Sequence, residues 1–550
     1  MDDFQIVLNA TESSVERQLR EQVLDGPGRD RGGIRNPDTL VTDPRGSMFA
    51  CNRWLALLLC PESRFHADAM LAGRIDALLD YMLRRQHPDG TIDLGNWRHA
   101  PCEVGFTLPA ACHNLRKLQA AGGIPRKDAI LGKLGRFIEN GGRAVREGQM
   151  YTANHRWTPG VAALACVDEI FPHPGNLEKI EDYLDDGIDC THDGIWYAER
   201  SPNYNMVADY GLLLAAENLN RPELLEHVRR NLDYCLHVIN PSGYAESGLS
   251  FRQDRGVPNA IFGSYSVYKI MAVQDANPVW AQAADVLLQE SVARGRLDDF
   301  IPVLQIFDRP GVRDEHLPRG PLPVRYHRHW PNAGVVRVRD DRFAVTIKGN
   351  AKPDDDTGWG GPVGEANFLA IHSGGAAIEC VMVKFGYQPD QAFKPRHVEK
   401  TPNGYRLFYY WKGFHLHMTH RRHGRRDMWM AADLALTAGV KIEGHSVRLN
   451  VKADGLPHVP VAIELLIDPD GELLLDGKKA AMSAGERVWF DAAEARYTRG
   501  GDSIVIRPGL CEHRLPIQDL HVVTGNAEQR CARLVLCGYS PFAHEVVVEG

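Results

Sequence analysis

From about residue 50 to residue 307, apolar residues return with helical spacing, as in Asn52-Arg-Trp54-Leu-Ala-Leu57-Leu58, and again over Met70–Leu83, Leu212–Leu219 and Leu224–Val238. Glycine-centred turns interrupt the pattern at Gly46, Gly90, Gly148, Gly194 and Gly243, in steps of 44, 58, 46 and 49 residues. One step holds two helices and their turns, which predicts stacked helical hairpins whose loops gather on one face. A solenoid and a closed ring both satisfy that spacing. About six hairpins fit before residue 320, a number that favours an (α/α) toroid.

After Pro321-Leu-Pro323 the texture changes. The runs Gly334–Arg339, Phe343–Lys348, Val447–Val451 and Val461–Ile467 alternate and are rich in β-branched residues, the pattern of strands. So many short strands without intervening helices predict an antiparallel β-sandwich. The expected fold is therefore α+β and multidomain: a helical toroid over residues 1–320 and an antiparallel β-sandwich over 321–550, with Asp308–Pro323 as the linker.

Composition adds limits. A chain of 550 residues with 44% hydrophobic and 24% charged residues is globular and long enough for two cores. The net charge of −8 excludes nucleic acid as an expected partner, and no run is long enough to span a membrane. An acidic ligand stays compatible with that charge if arginines and lysines gather locally. Eleven cysteines without CxxC or CxxH spacing suit reduced thiols. No secretory signal follows Met1-Asp2-Asp3-Phe4, so the expected location is cytoplasmic, or periplasmic if a leader has been removed. Oligomeric state is not legible.

Two neighbouring loops carry the most suggestive groups: Tyr151-Thr-Ala-Asn154-His155-Arg156-Trp157 and Asp193-Gly194-Ile-Trp-Tyr-Ala-Glu199-Arg200-Ser-Pro-Asn203-Tyr204-Asn205. His155 and Tyr204 stand 49 residues apart, close to one hairpin period, so adjacent units of a ring would bring them to one ligand. An imidazole and a phenol form a serviceable base and acid once tuned by their surroundings.

These segments, with Trp330-Pro-Asn-Ala-Gly334-Val-Val-Arg-Val-Arg-Asp-Asp-Arg-Phe343, resemble the heparinase II/III-type polysaccharide lyases and their alginate-lyase relatives. The resemblance implies β-elimination at a uronic acid in an acidic oligo- or polysaccharide, without a required cofactor. Carried over residue by residue, it implies His155 and Tyr204 as the proton-transfer pair, in either order, with Asn154 beside them. Arg156, Arg200, Asn203, Trp157, Glu199, Arg98 and Lys348 are the expected substrate-binding residues.

One departure stands out. Where the family commonly carries His-x-His-x-Asp early in the sandwich, this chain reads Gly360-Gly-Pro-Val-Gly364-Glu365-Ala-Asn367-Phe368. Lys348, Asn350 and His372 are the candidates to replace the first missing histidine, and heparin becomes a poor expectation for the substrate. A structural zinc has only the set Glu379, His415 and His417 to hold it, and histidines on a strand bordered by arginines also simply face water. Two other functions remain open: a toroidal glycoside hydrolase with paired carboxylates drawn from Asp89, Asp193, Glu199 and Glu246, and a carbohydrate-binding protein without turnover. Neither a P-loop nor a GxSxG elbow supports nucleotide or acyl chemistry.

Overall fold

The structure is a computed structural model. It describes the chain except residues 1, 26–27, 96, 151, 253, 259–264, 294–296, 298–302, 350–365, 388–390, 421–424 and 518–525, and the side chains of 414–432. Tyr151, Asn350 and the Gly360–Glu365 stretch therefore lie outside the described residues, as do the side chains of His415 and His417.

Two compact units divide the chain. The first comprises Met1–Cys190, Asn203–Asp233 and Ala260–Leu322; the second takes Pro323–Gly550 together with Thr191–Pro202 and Tyr234–Asn259.

The first unit is the (α/α) toroid. Pro44–Leu59 packs on Ala69–Arg85, Leu108–Ala120 on Lys127–Glu147, Ala163–Asp168 on Pro174–Asp185, and Tyr265–Asp275 on Pro278–Ala293. The first members also touch in succession (Pro44–Leu59, Leu108–Ala120, Ala163–Asp168), and so do the second members (Ala69–Arg85, Lys127–Glu147, Pro174–Asp185). This makes two concentric layers. Sequence explains which is inner: Pro44–Leu59 is buried at nearly every position, whereas Lys127–Glu147 keeps an apolar stripe of Ile130, Leu134, Phe137 and Ile138 under a polar face. The ends meet where Phe4 stacks edge-on against Phe307, 5.4 Å between centroids, and Lys269 bonds both Asp3 (2.7 Å) and Glu315 (2.8 Å).

The glycine turns have distinct local causes. Asp43-Pro-Arg-Gly46 is a helix start, Asp43 accepting from the Gly46 amide at 2.7 Å with Pro44 in the first turn. Gly90 adopts φ +89° and lies so close to the Asn140 carbonyl oxygen that a Cβ would come within 1.9 Å of it.

In the second unit, nine- and eight-stranded sheets among the described residues face each other as a β-sandwich. Between the described strands of the two sheets, pairing is antiparallel except where Arg487–Trp489 runs parallel to Ala532–Tyr539. Leu407, Leu434, Leu449 and Val451 from one sheet meet Val345, Ile463 and Leu534 from the other in one apolar core. Strand Phe343–Lys348 is buried along its whole length. Its odd residues Phe343, Val345 and Ile347 enter that core. Alternation therefore sets Thr346 and Lys348 on the opposite face, with Arg337 and His372 in register on flanking strands.

Candidate functional site

Past helix Lys127–Glu147 the chain makes a tight turn over Ala153–Arg156, then a π-helical stretch over Trp157–Ala162. Such wide turns recur at functional sites because they re-aim the side chains beside them. Two glycines let neighbouring helices grip this stretch. A Cβ at Gly105 would lie 2.2 Å from the Pro159 carbonyl oxygen, and one at Gly211 would lie 2.4 Å from the Thr158 amide nitrogen. Helices Pro101–Gly105 and Pro202–Leu219 thus approach it backbone to backbone.

Side chains complete the grip. The Thr158 hydroxyl donates to the Val207 carbonyl, and the Asn154 amide nitrogen donates to the Tyr204 carbonyl at 3.5 Å. As a result the His155 and Tyr204 rings stand 5.5 Å apart between centroids, tilted by 37°. Phe106 meets His155 at 87° and 5.3 Å. His155 is 6% exposed, Tyr204 is half-buried and Asn203 is exposed. Phe106, His155 and Tyr204 are each 49 residues from the next, so they occupy matching places in three consecutive repeats. Sequence reasoning missed Phe106, although that spacing was the signal that points to it.

The neighbours of His155 form a buried support. Arg156 approaches Asp186 at 3.6 Å and Asp189 at 3.5 Å, and lies over the Trp157 ring at 5.1 Å. Fully buried Trp157 donates its indole N–H to Asp189 at 3.4 Å. Burial raises the Asp189 carboxyl above its ordinary range, against the pull of Arg156. Arg98, with 65% of its side chain exposed, sits on a separate two-stranded hairpin and pairs with Asp93 at 3.1 Å.

Glu199, Arg200 and Lys348 belong to the second unit. Glu199 pairs with Arg252 at 3.4 Å, a partner the sequence did not announce. Arg200 adopts φ +50°, a strained backbone for a non-glycine residue, and its guanidinium packs over Tyr197 (5.4 Å) and Phe251 (4.7 Å). Burial lowers it to about 10. Lys348 is 2% exposed and donates to the Gly248 carbonyl.

Glu246 anchors a second cluster in that unit. It accepts from Thr346 at 3.1 Å and meets His372 at 3.3 Å and Arg337 at 3.6 Å. Burial alone would raise its carboxyl, but His372 and Arg337 outweigh burial and hold it at about 2. Beside it lies a cavity of about 130 Å³, reached also by Glu379, Asp468, Arg499 and Arg530. Glu379 pairs with Arg530 at 3.2 Å. Among the described residues no group of three or more His, Cys, Asp or Glu side chains is arranged to hold a metal, and no helix is long and apolar enough to cross a membrane.

No family model matches the sequence, and no curated protein matches it. Its fold has solved counterparts. A xanthan lyase from Paenibacillus superposes with a TM-score of 0.58 at 11% identity, covering 100% of this chain and 57% of that one. Chondroitin AC lyase from Streptomyces coelicolor A3, solved with chondroitin sulphate, gives 0.57 at 14% identity, covering 99% and 79%. Heparan sulfate lyase HepC from Pedobacter heparinus gives 0.51 at 12%, covering 99% and 82%. The chain thus spans little more than half of the xanthan lyase and shares with all three the order of helical toroid followed by β-sandwich.

Proposed function

We propose that this chain is a polysaccharide lyase that cleaves an acidic glycan at a uronic-acid residue by β-elimination, with His155 and Tyr204 as its proton-transfer pair. One observation carries the reading: within a fold shared with polysaccharide lyases, an imidazole and a phenol from consecutive repeats stand 5.5 Å apart, held by the Asn154 and Thr158 contacts between their segments.

The chemistry follows from the substrate. A uronate resists losing its C5 proton while its carboxylate is fully charged, so a donor or cation must offset that charge. Asn154 and Arg156 are assigned this task, Asn154 through the amide hydrogen not given to Tyr204. One member of the pair then accepts the C5 proton. The electron pair forms C4=C5, the C4–O4 bond breaks, and the other member protonates the departing O4. One proton passed between the two groups restores the starting state, and no cofactor is needed. Half-buried Tyr204, next to exposed Asn203, suits contact with the sugar; His155 stands behind it.

The hydrolase reading finds less support. A glycosidase needs a carboxylic acid that stays protonated near neutrality. Glu246 is held at about 2 despite burial, exposed Asp89 is held at about 2 by its bonds from Thr91 and His99, and Glu199 is paired with Arg252.

The test is a panel of uronate-containing glycans followed by ultraviolet absorbance, because the new alkene is conjugated with the carboxylate. A lyase gives rising absorbance, and Tyr204→Phe removes it while glycan binding persists. New reducing ends without absorbance would establish hydrolysis instead; binding with neither signal would leave a carbohydrate-binding protein.

A further inference from the structure

Cys511 and Cys537 lie side by side in the second unit. They pair as an isolated parallel bridge: the Cys537 amide donates to the Leu510 carbonyl at 2.8 Å, and the Glu512 amide donates to the Cys537 carbonyl at 3.0 Å. Those two bonds bracket Cys511 and fix the register. Backbones so paired run about 4.8 Å apart, inside the roughly 4.4–6.8 Å window of Cα separations that a disulfide spans. The two sulfurs are 3.9 Å apart, so side-chain rotation rather than backbone movement is what bond formation requires.

Exposure supplies the second observation. Of the eleven cysteines, ten are buried and Cys511 alone is not. An oxidant therefore meets Cys511 first, with fully buried Cys537 directly behind it. Burial pushes the Cys537 thiol up to about 11, which keeps it unreactive toward outside reagents until a partner sulfur is delivered to it.

We propose that Cys511 and Cys537 form a site of covalent modification, in which Cys511 takes up a small-molecule disulfide and Cys537 resolves it into an intramolecular cross-link. In the first step the Cys511 thiolate attacks the reagent's S–S bond, forming a mixed disulfide and releasing one thiol. In the second, Cys537 gives up its proton and attacks the Cys511 sulfur, breaking the mixed disulfide and releasing the other thiol. The protein loses two hydrogens and the reagent gains two.

The cross-link closes the loop from 511 to 537, which contains helix Ala527–Arg530. Arg530 from that helix pairs with Glu379 and donates to the Gly256 carbonyl at 3.3 Å. Tying the loop's two ends together restricts the unfolded chain, so the oxidised second unit is the more stable form. The scattered spacing of cysteines in the sequence gives no hint of this pair, because its members meet only through sheet pairing.

The experiment treats the full chain with oxidised glutathione, quenches by alkylation and maps peptides by mass. The expected product links the peptides bearing Cys511 and Cys537, raises the unfolding temperature, and reverts with dithiothreitol. Cys537→Ala should instead retain glutathione on Cys511 with no rise in unfolding temperature. Should Cys537→Ala fail to fold, Cys511→Ser serves, and it should show neither adduct nor cross-link. Glutathione that persists on Cys511 of the unaltered chain, or two thiols that remain unmodified, would overturn the proposal.

Discussion

The Phe106 and His155 rings stand perpendicular, their centroids 5.3 Å apart, with Phe106 itself only 6% exposed. An edge-to-face contact of this kind fixes the plane in which the imidazole stands. Phe106→Leu keeps an apolar wall and is expected to retain most turnover. Phe106→Ala opens a cavity and should cost roughly 3–5 kcal/mol of stability together with a fall in kcat. Denaturant titration and absorbance-based rates on the two variants check this; equal rates in both would mean that an apolar wall at position 106 does not position His155.

Gly211 makes a separate demand. A Cβ there would come 2.5 Å from the Trp157 carbonyl carbon as well as 2.4 Å from the Thr158 nitrogen, and neither is a flexible side-chain end that can step aside. Gly211→Ala must push helix Pro202–Leu219 away from the π-helical stretch, carrying Tyr204 off His155. The expected cost is roughly 1–3 kcal/mol of stability. An ångström of displacement at the reacting groups lowers kcat on the order of 100-fold. A folded Gly211→Ala protein with unaltered kcat would show that the spacing of the two rings does not govern the rate.

Much of this arrangement was legible in the chain. The glycine turns and helical spacing point to the hairpins, and the matching place of His155 and Tyr204 in their repeats points to their adjacency. The Glu246 cluster was not legible in the same way. Glu246, Arg337, Thr346 and His372 share no period, because three of them come from one face of the sandwich sheet and the fourth from a loop that the chain supplies some 90 residues earlier. Sheet pairing, a long-range property, assembles them. For the same reason the segments 191–202 and 234–259 carry no mark that groups them with the second unit rather than with the helices around them.

That cluster carries a pH signature. The folded Glu246 carboxyl titrates at about 2, against an ordinary value of 4.5, because His372 and Arg337 outweigh its burial. Between those values the unfolded chain binds the proton and the folded one does not, so stability is fully present above pH 4.5 and is lost as the pH falls toward 2. A shift of that size corresponds to a contribution on the order of 3 kcal/mol. Glu246→Gln should be less stable near neutrality, since Arg337 loses its counter-charge, and should show a flatter dependence through the acid window. Urea titrations at several pH values measure both; a variant with the parent's acid slope would assign that slope to other carboxylates.

Lys348 predicts the opposite slope. Its amine is 2% exposed, and burial, reinforced by Arg255 and Arg200, pushes it well below the ordinary lysine value of 10.5. From the folded value up to 10.5 the unfolded chain holds the proton that the folded chain has released, so stability rises with pH across that window, and the burial cost is in full force below it. Lys348→Met fills similar space without the amine and forfeits only its bond to the Gly248 carbonyl. It should therefore be more stable than the parent at pH 7, by a margin that narrows as the pH approaches 10.5. Denaturant midpoints at pH 7 and pH 10 test the sign. A less stable variant at pH 7, with parent stability that falls on alkalinisation, would mean that Lys348 stays charged in the fold and that a counter-charge holds it there.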